Sequence, residues 1–330
     1  MNRGKSRKQS RMVLRELRKE SSEGLELAKK LILSEKIPYK KLRNALEYYV
    51  SNWNDITHPG LFALAYESVN PELPKPASIQ AAIAMIAAAF DIHDDIIDKS
   101  VSKHGRRTVF GRFGEEIALL LGNAFLIEGF TLLGKSLEGP FQEKTRIFEI
   151  IKESLYEFGN AHAMELGFRK KAGIPTDQYL EIFKMKAASM EGDMRIGALV
   201  GEGTDREVEA LASYGRILGM LAILREEYID VFDVEELKQR LSNEYLPLPI
   251  MYAMQDTEAR KKIENLFSQG LTSANVGELA DMVFGTKKVG ELEEKMKELV
   301  AEATRKTFAI RNRDLRDKLQ LFASSALEDI

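Results

Sequence analysis

The sequence contains no cysteine, and it lacks the signatures of several protein classes. Disulfides and thiolate metal sites are therefore excluded, and a cysteine-free chain suits a reducing compartment, so we expect a cytoplasmic protein. We find no secretory signal and no apolar stretch of about 18 residues, and we therefore expect no membrane-spanning segment. The formal net charge is only −3, which gives no support to a nucleic-acid partner.

Proline is also scarce, at nine residues in 330, and strand and helix patterns do not alternate along the chain. Long windows rich in Leu, Ala, Glu and Lys favour helices. Because we find no disordered linker and no internal repeat, the sequence predicts an all-α protein with a single domain over residues 1–330. The basic arm at about residues 1–20 is either a solvated terminus or a segment that contacts an anionic membrane surface.

Helical patterns recur along the chain. The predicted helices cover about residues 10–34, a segment that ends at Trp53, then 61–69, 79–98, 115–133, 140–164, 177–190, 208–231 and a charged pair within 290–321. Thr176, in a turn at Gly173–Thr176, is the predicted N-cap of the helix at 177–190. Pro76 suits the first turn of the helix that follows it.

Carboxylates follow the most apolar of these helices. The run from Ile79 to Phe90 is apolar nearly all the way round, which is typical of a buried helix. Four carboxylates then share one helix face over two turns, namely Asp91, Asp94, Asp95 and Asp98. Like charges this close destabilise a helix unless a cation neutralises them. The stretch is therefore either a solvated acidic face or a site for a hard cation such as Mg2+, which prefers oxygen ligands.

A second acidic cluster ends the predicted helix at 208–231. Glu226 and Asp230 share a helix face at i, i+4, and Glu227 lies beside them. Two acidic clusters at helix ends, far apart in the sequence, are typical of the two walls of one metal site.

The first cluster is one of several short motifs that occur in a fixed order. The others are Gly105, Thr108, Phe113-Gly114, Leu121-Gly122-Asn123, Tyr179, Lys186, Tyr214-Gly215-Arg216, Gly219 and Leu248-Pro249. As a collinear set they make the chain resemble the trans-isoprenyl diphosphate synthases, the polyprenyl synthetase family. The resemblance runs from about Glu47 to the C-terminus.

This resemblance implies an all-α bundle or barrel of long helices around a deep central pocket, the isoprenoid synthase type. Enzymes of this family hold Mg2+ between two acidic motifs, against the diphosphate of an allylic substrate, and they are usually homodimers. By the resemblance, the metal ligands of this chain are Asp94, Asp95, Asp98, Glu226, Glu227 and Asp230. Lys186 would contact the diphosphate, and it completes a predicted catalytic set with the three aspartates of the first motif.

Basic residues on the allylic side are partly kept. The family's Arg-Arg pair aligns with Lys103-His104, so one cation remains, and Arg106 and Arg107 could substitute at shifted positions. Phe90, one turn before Asp94, either floors the pocket of the prenyl chain or packs as an ordinary core residue.

Residues on the other side, where the family binds isopentenyl diphosphate, are mostly changed. The family's basic segment aligns with Trp53–Pro59, where Asp55, Ile56 and His58 take the places of a lysine and two arginines. A family histidine aligns with Ala87. A carboxylate facing a pyrophosphate is repulsive, so isopentenyl diphosphate is expected to bind poorly by the usual mode.

The second acidic motif and its surroundings also depart from the family pattern. Glu226 and Glu227 replace an Asp pair, and the loop that follows is shortened to Glu235–Tyr245, which leaves its extra metal ligand and lysine unassigned. Glu165 stands where the family has an Asp, with His162 at the position of a Gln.

Three functions are compatible with these residues. The chain could be a Mg2+-dependent prenyltransferase that still makes prenyl chains, alone or with a partner subunit. It could instead ionise the allylic diphosphate and transfer the prenyl group to another acceptor, or cyclise it as terpene synthases do. A third reading is a weakly active regulatory subunit of a heteromeric synthase. The retained Asp94, Asp95, Asp98 and Lys186 favour an enzyme, since a subunit freed from catalysis has no need of charges that strain a buried helix.

Overall fold

The computed structural model describes residues 3–103, 105–168, 175–243 and 245–328, and these are almost entirely helical. The elements are α1 (Arg3–Ser34), α2 (Lys40–Asn52), α3 (Thr57–Val69), α4 (Ala77–Ile97), β1 (Ser102–Lys103), β2 (Arg106–Arg107), α5 (Val109–Phe113), α6 (Glu115–Ser136), α7 (Phe141–Phe168), α8 (Thr176–Lys186), α9 (Ala188–Val200), α10 (Asp205–Asp230), α11 (Val234–Asn243), α12 (Leu248–Ala253), α13 (Thr257–Gln269), α14 (Val276–Phe284), α15 (Lys287–Thr307) and α16 (Arg313–Ser325). The predicted all-α fold is confirmed.

Residue contacts divide the chain into two compact units whose segments interleave in the sequence. The first, called here the N unit, consists of Leu14–Ile151 and Asp193–Val208. The second, the C unit, consists of Met1–Val13, Lys152–Gly192 and Glu209–Ile330. The single domain expected from the sequence stays a prediction.

The core of the N unit forms around α4, which packs on α6 and α3. Most of the residues of α4 are alanine or isoleucine, and their small or compact side chains let neighbouring helices approach closely. The approach of α6 requires glycine at Gly129, where a Cβ would lie 2.8 Å from the side chain of Ile86 and 3.1 Å from the carbonyl of Ala82. The apolar run that precedes the acidic motif is thus a buried helix, as predicted.

A short antiparallel hairpin follows α4. Ser102 pairs with Arg107 and Lys103 with Arg106. Gly105, with φ of 74°, provides the left-handed conformation that the turn needs. His104, aligned with a family arginine, lies outside the described residues. The hairpin returns the chain towards the end of α4 and so places Lys103 beside the acidic residues.

The C unit is a second set of packed helices, in which α12 contacts α8, α14 and α15, and α15 packs along α16. The hydroxyl of Tyr214 on α10 donates a hydrogen bond of 2.6 Å to the carbonyl of Leu319 on α16. The charged helix pair predicted near the C-terminus is present as α15 and α16.

The helix predicted over 177–190 is interrupted, and this expectation was wrong. The chain breaks at Ala187, between α8 and α9. Arg216 on α10 donates a hydrogen bond of 2.7 Å to the carbonyl of Lys184, which competes with continuation of the helix. Thr176 is the first residue of α8 and the N-cap is Pro175, so the predicted cap was also misplaced. Gly173 and Ile174 lie outside the described residues.

One helix, α6, is long and apolar enough to cross a membrane by length and composition, with a mean hydropathy of 1.8 over its most apolar window. This stretch was not expected from the sequence, in which Glu115 and Glu116 begin the helix and Glu128 interrupts it. In the N unit 39% of that window is buried.

Candidate active site

The first acidic cluster lies at the C-terminal end of α4 in the N unit. Asp95 is 5% exposed, whereas Asp94 and Asp98 are half-buried and Asp91 is exposed. Asp98 caps the helix, and its N–H donates to the carbonyl of Asp94. The buried helix therefore ends in a group of carboxylates at graded depths.

Lys103 on β1 places its ammonium among three of these carboxylates. Its Nζ lies 2.8 Å from Oδ1 of Asp95, 3.3 Å from Oδ2 of Asp94 and 3.6 Å from Oδ1 of Asp91. Burial raises the pKa of Asp95 to about 7, although Lys103 acts to lower it. Loss of water around the carboxyl group also raises the pKa of Asp91, again opposed by Lys103. The cluster thus holds a cation of the chain itself, and its oxygen donors are the kind that Mg2+ takes.

The other two basic residues predicted on the allylic side have different partners. Arg106 donates from Nη1 to Oδ1 of Asn52 at 2.8 Å, and Arg107 donates from Nη1 to the carbonyl of Gly111 at 3.3 Å. Both are exposed and lie on β2. Phe90 is half-buried, with its ring centroid 6.4 Å from the ring of His93 in an edge-on arrangement. Among the residues predicted on the allylic side, Lys103 is therefore the one that contacts the acidic cluster directly.

The second acidic cluster ends α10 in the C unit, and its three members differ in exposure. Glu226 is exposed, Glu227 is 3% exposed and Asp230 is half-buried. Arg240 on α11 donates from Nη1 to Oε1 of Glu227 at 2.8 Å, and from Nη2 to Oδ2 of Asp230. Burial raises the pKa of Asp230 to about 7, against the lowering effect of Arg240.

Lys186, predicted to contact the diphosphate, ends α8 in the same unit. Its Nζ lies 2.6 Å from Oε2 of Glu165, and the other oxygen of Glu165 accepts a hydrogen bond of 2.7 Å from the hydroxyl of Tyr245. Glu165 is 8% exposed. A buried carboxylate thus holds the ammonium of Lys186 at the end of its helix.

The segment that aligns with the isopentenyl diphosphate site forms an ion pair within the N unit. Nδ1 of His58 lies 2.6 Å from Oδ2 of Asp193. Burial lowers the pKa of His58, but the carboxylates of Asp193 and Asp55 more than offset this and raise it to about 9. Asp55, which precedes the N-cap Ile56, accepts from the N–H of Thr57 at the start of α3, at 2.9 Å. His58 and Asp55, which replace basic residues of the family, therefore interact with neighbouring groups of the N unit itself.

A family model named polyprenyl synthetase matches residues 39–308 of this chain. The chain belongs to the polyprenyl synthetase family. The match includes both acidic clusters, Lys103 and Lys186.

Similar proteins include prenyl diphosphate synthases. This chain is 28% identical over 196 residues to a short chain isoprenyl diphosphate synthase of Methanothermobacter thermautotrophicus, covering 59% of this chain and 60% of the relative. The alignment thus spans less than two thirds of that relative's length.

Among solved structures, a geranylgeranyl pyrophosphate synthetase from Pyrococcus horikoshii matches with a TM-score of 0.81 and 20% identity, over 97% of this chain and 99% of that one. The corresponding synthetase from the archaeon Geoglobus acetivorans matches with a TM-score of 0.82 and 20% identity, over 94% and 99%. These likenesses confirm the isoprenoid synthase type of all-α fold.

Two residues of these sites were not predicted from the sequence. Arg240 lies in the shortened segment that follows the second motif, and a lone arginine on the apolar side of an amphipathic helix was the available signal. Asp193 gave no signal, because its partner His58 is 135 positions away in the sequence.

Proposed function

We propose that this chain is a Mg2+-dependent prenyltransferase that binds and ionises an allylic prenyl diphosphate. The observation that carries the proposal is the first acidic cluster, which gathers three carboxylates around one cation at the end of a buried helix. Membership of the polyprenyl synthetase family supports the same activity.

Asp94, Asp95 and Asp98 are the proposed metal ligands of this cluster. Bound Mg2+ would supply positive charge to the departing pyrophosphate. Asp94 and Asp98 are half-buried, and the ammonium of Lys103 shows that a cation is stable against Asp94 and Asp95. The donor set fits a hard ion, since every candidate ligand is a carboxylate oxygen.

Two lysines are proposed to contact the allylic diphosphate. The ammonium of Lys186 is held by Glu165, and that of Lys103 is held by the first cluster. A lysine acts on a phosphate as a point charge on a flexible stem, so each can pivot from its carboxylates to the substrate.

The test of this function is pyrophosphate release. With Mg2+ and farnesyl or geranylgeranyl diphosphate, we expect the wild-type protein to release pyrophosphate or elongate the chain, and Asp94→Asn to lose at least about 100-fold in kcat. Glu209→Gln, an exposed change at the far end of α10, serves as the control. Activity of Asp94→Asn within a few-fold of wild type would contradict the metal assignment.

The acceptor is a second question, and the His58–Asp193 ion pair favours one other than isopentenyl diphosphate. His58, at the position of a family arginine, has its Nδ1 committed to Asp193 at 2.6 Å. Asp55, at the position of a lysine, adds negative charge that repels a diphosphate. The second candidate function is therefore prenyl transfer to another acceptor, or cyclisation.

Product analysis with and without isopentenyl diphosphate separates these functions. A longer prenyl diphosphate that appears only with isopentenyl diphosphate would establish chain elongation. A hydrocarbon or alcohol released without it would establish the second candidate, and inactivity in both conditions, restored by a partner chain, would establish a heteromeric synthase.

A further inference from the structure

Both carboxylate oxygens of Glu227 are already engaged inside the C unit. Oε1 accepts from Nη1 of Arg240 at 2.8 Å, and Oε2 accepts from the backbone N–H of Leu248 at 2.7 Å. The residue is 3% exposed. A metal ion that took Glu227 as a ligand would have to share these oxygens with a buried backbone donor and with a guanidinium cation.

Arg240 is in turn surrounded by carboxylates on every donating edge. Its Nη1 bonds Glu227, its Nη2 bonds Asp230 and its Nε lies 3.2 Å from Oε1 of Glu236. The guanidinium carbon also lies 5.6 Å from the ring centroid of Tyr245, in a cation–π contact. Arg240 is only 9% exposed, so its guanidinium is buried inside the C unit.

From this arrangement we propose that Arg240 is the resident cation of the second acidic cluster, and that Glu227 is consequently a structural carboxylate and not a metal ligand. The inference rests on the proposed function, because it concerns how that enzyme divides its cations between its two acidic clusters. Divalent metal ions would bind to the first cluster and to the exposed Glu226. The other two carboxylates of the second cluster, Glu227 and Asp230, are neutralised by Arg240.

A metal ion and the guanidinium of Arg240 compete for the same carboxylates. A divalent ion between Glu227 and Asp230 would lie within a few ångströms of a buried guanidinium, and that repulsion is strong where little water screens it. The guanidinium matches carboxylates through paired, directed hydrogen bonds and cannot lose its proton, so it does not yield the site by titration. The two cations therefore exclude one another.

The experiment counts bound metal. Mn2+ binding to the full chain is measured by electron paramagnetic resonance, with a saturating thiolo analogue of farnesyl diphosphate that cannot ionise. We expect Glu227→Gln to bind as many Mn2+ ions as wild type. Arg240→Gln is expected to bind one more, and the Arg240→Gln/Glu227→Gln double variant to lose that extra ion.

A matched control lies on the same helix. Lys238 pairs with Glu235 at the surface, 3.0 Å apart, and Lys238→Gln should leave the Mn2+ count unchanged. Fewer Mn2+ ions bound by Glu227→Gln, or no additional ion in Arg240→Gln, would overturn the inference. If Arg240→Gln does not fold, the Glu227→Gln count decides alone.

The proposed function fails separately. It is contradicted by an Asp94→Asn variant that keeps the full Mn2+ count and activity. The assignment of Arg240 is decided only by the counts for Glu227 and Arg240 variants.

Discussion

At the scale of single residues, the His58–Asp193 pair makes stability depend on pH. The pKa of His58 is raised from 6.5 to about 9, chiefly by the carboxylates of Asp193 and Asp55 after burial has lowered it. A group with a raised pKa binds its proton more tightly in the folded state. Its contribution to the free energy of unfolding is therefore complete below pH 6.5 and is lost as the pH rises through about 9.

We predict that this pair makes the wild-type protein less stable at pH 9.5 than at pH 6 by up to ~3 kcal/mol. Urea denaturation at both pH values measures the difference. His58→Gln should remove most of this dependence, because glutamine does not titrate. Equal pH slopes for the two proteins would show that the ion pair is not its source.

Lys103 supplies a second prediction at this scale. Lys103→Gln removes the ammonium that lies against three carboxylates of the first cluster, and we expect the variant to lose ~1 kcal/mol of stability without Mg2+, since the lysine is partly exposed. Added Mg2+ should then raise the Tm of the variant more than that of wild type, because the ion no longer competes with an ammonium. Differential scanning calorimetry with and without Mg2+ measures both effects.

Arg106→Gln is the matched control for Lys103→Gln. Arg106 lies on the same hairpin but donates to Asn52, so its loss should leave the response to Mg2+ unchanged. An identical Mg2+ response in wild type and Lys103→Gln would show that Lys103 and Mg2+ do not compete for the first cluster.

At the scale of elements, Arg216 organises the break between α8 and α9. From α10 it bonds Glu157 on α7 through both Nη atoms, at 2.7 and 2.9 Å, and it also bonds Glu191 on α9 and the carbonyl of Lys184. Four helices of the C unit thus meet at one guanidinium. Because Lys186 follows Lys184 by two residues, this contact fixes where α8 ends and where Lys186 points.

We predict that Arg216→Lys costs ~1–2 kcal/mol of stability, since an ammonium cannot keep the bidentate bond and leaves a half-buried carboxylate undersatisfied. It should also raise the KM for the allylic diphosphate several-fold, as Lys186 is no longer held in place. Steady-state kinetics and thermal denaturation test the two effects. Lys184→Gln changes only an exposed side chain, and it should leave both unaltered; a matching loss there would count against the role of Arg216.

At the scale of the whole molecule, the prediction concerns assembly. The long apolar helix α6 keeps Leu119, Leu120 and Ile127 exposed at 48%, 53% and 66% in the single chain. Residues 120 and 127 are separated by two turns and share a face. Exposed apolar residues aligned in this way are typical of a surface that packs against another protein, and we propose a homodimer through this face.

Light scattering after size-exclusion chromatography should give about twice the chain mass of 37.3 kDa for wild type. Ile127→Glu should shift the mass towards that of one chain, because a charge would be buried at the interface. Tyr156→Glu, a change at a similarly exposed apolar residue in the C unit, is the control. A dimer that survives Ile127→Glu would place the interface elsewhere.

Features that depend on spacing within one helix could be predicted from the sequence. Features that depend on contacts between distant segments could not. The first acidic cluster was predictable because the i, i+3 and i+4 spacing of Asp91, Asp94 and Asp95 is a local property of one helix. The helix break at Ala187 was not, because it depends on Arg216, a residue of another helix. Asp193 was not predicted for the same reason, because no periodicity links it to His58. Arg240 was not predicted because its partners become evident only once α10 and α11 are packed.

The interleaved segments of the two units set the order in which the chain can fold as it is made. The N unit needs Asp193–Val208, yet Lys152–Gly192 belongs to the C unit and leaves the ribosome first. Gly197 illustrates the delay, since it packs so tightly on α3 that a Cβ there would lie 2.3 Å from the carbonyl of Phe62. At a synthesis rate of ~5–20 residues per second, several seconds pass between the synthesis of the apolar α3 and that of the segment that packs on it. Truncated chains that stop before residue 193 should consequently be far more prone to aggregate than the finished protein.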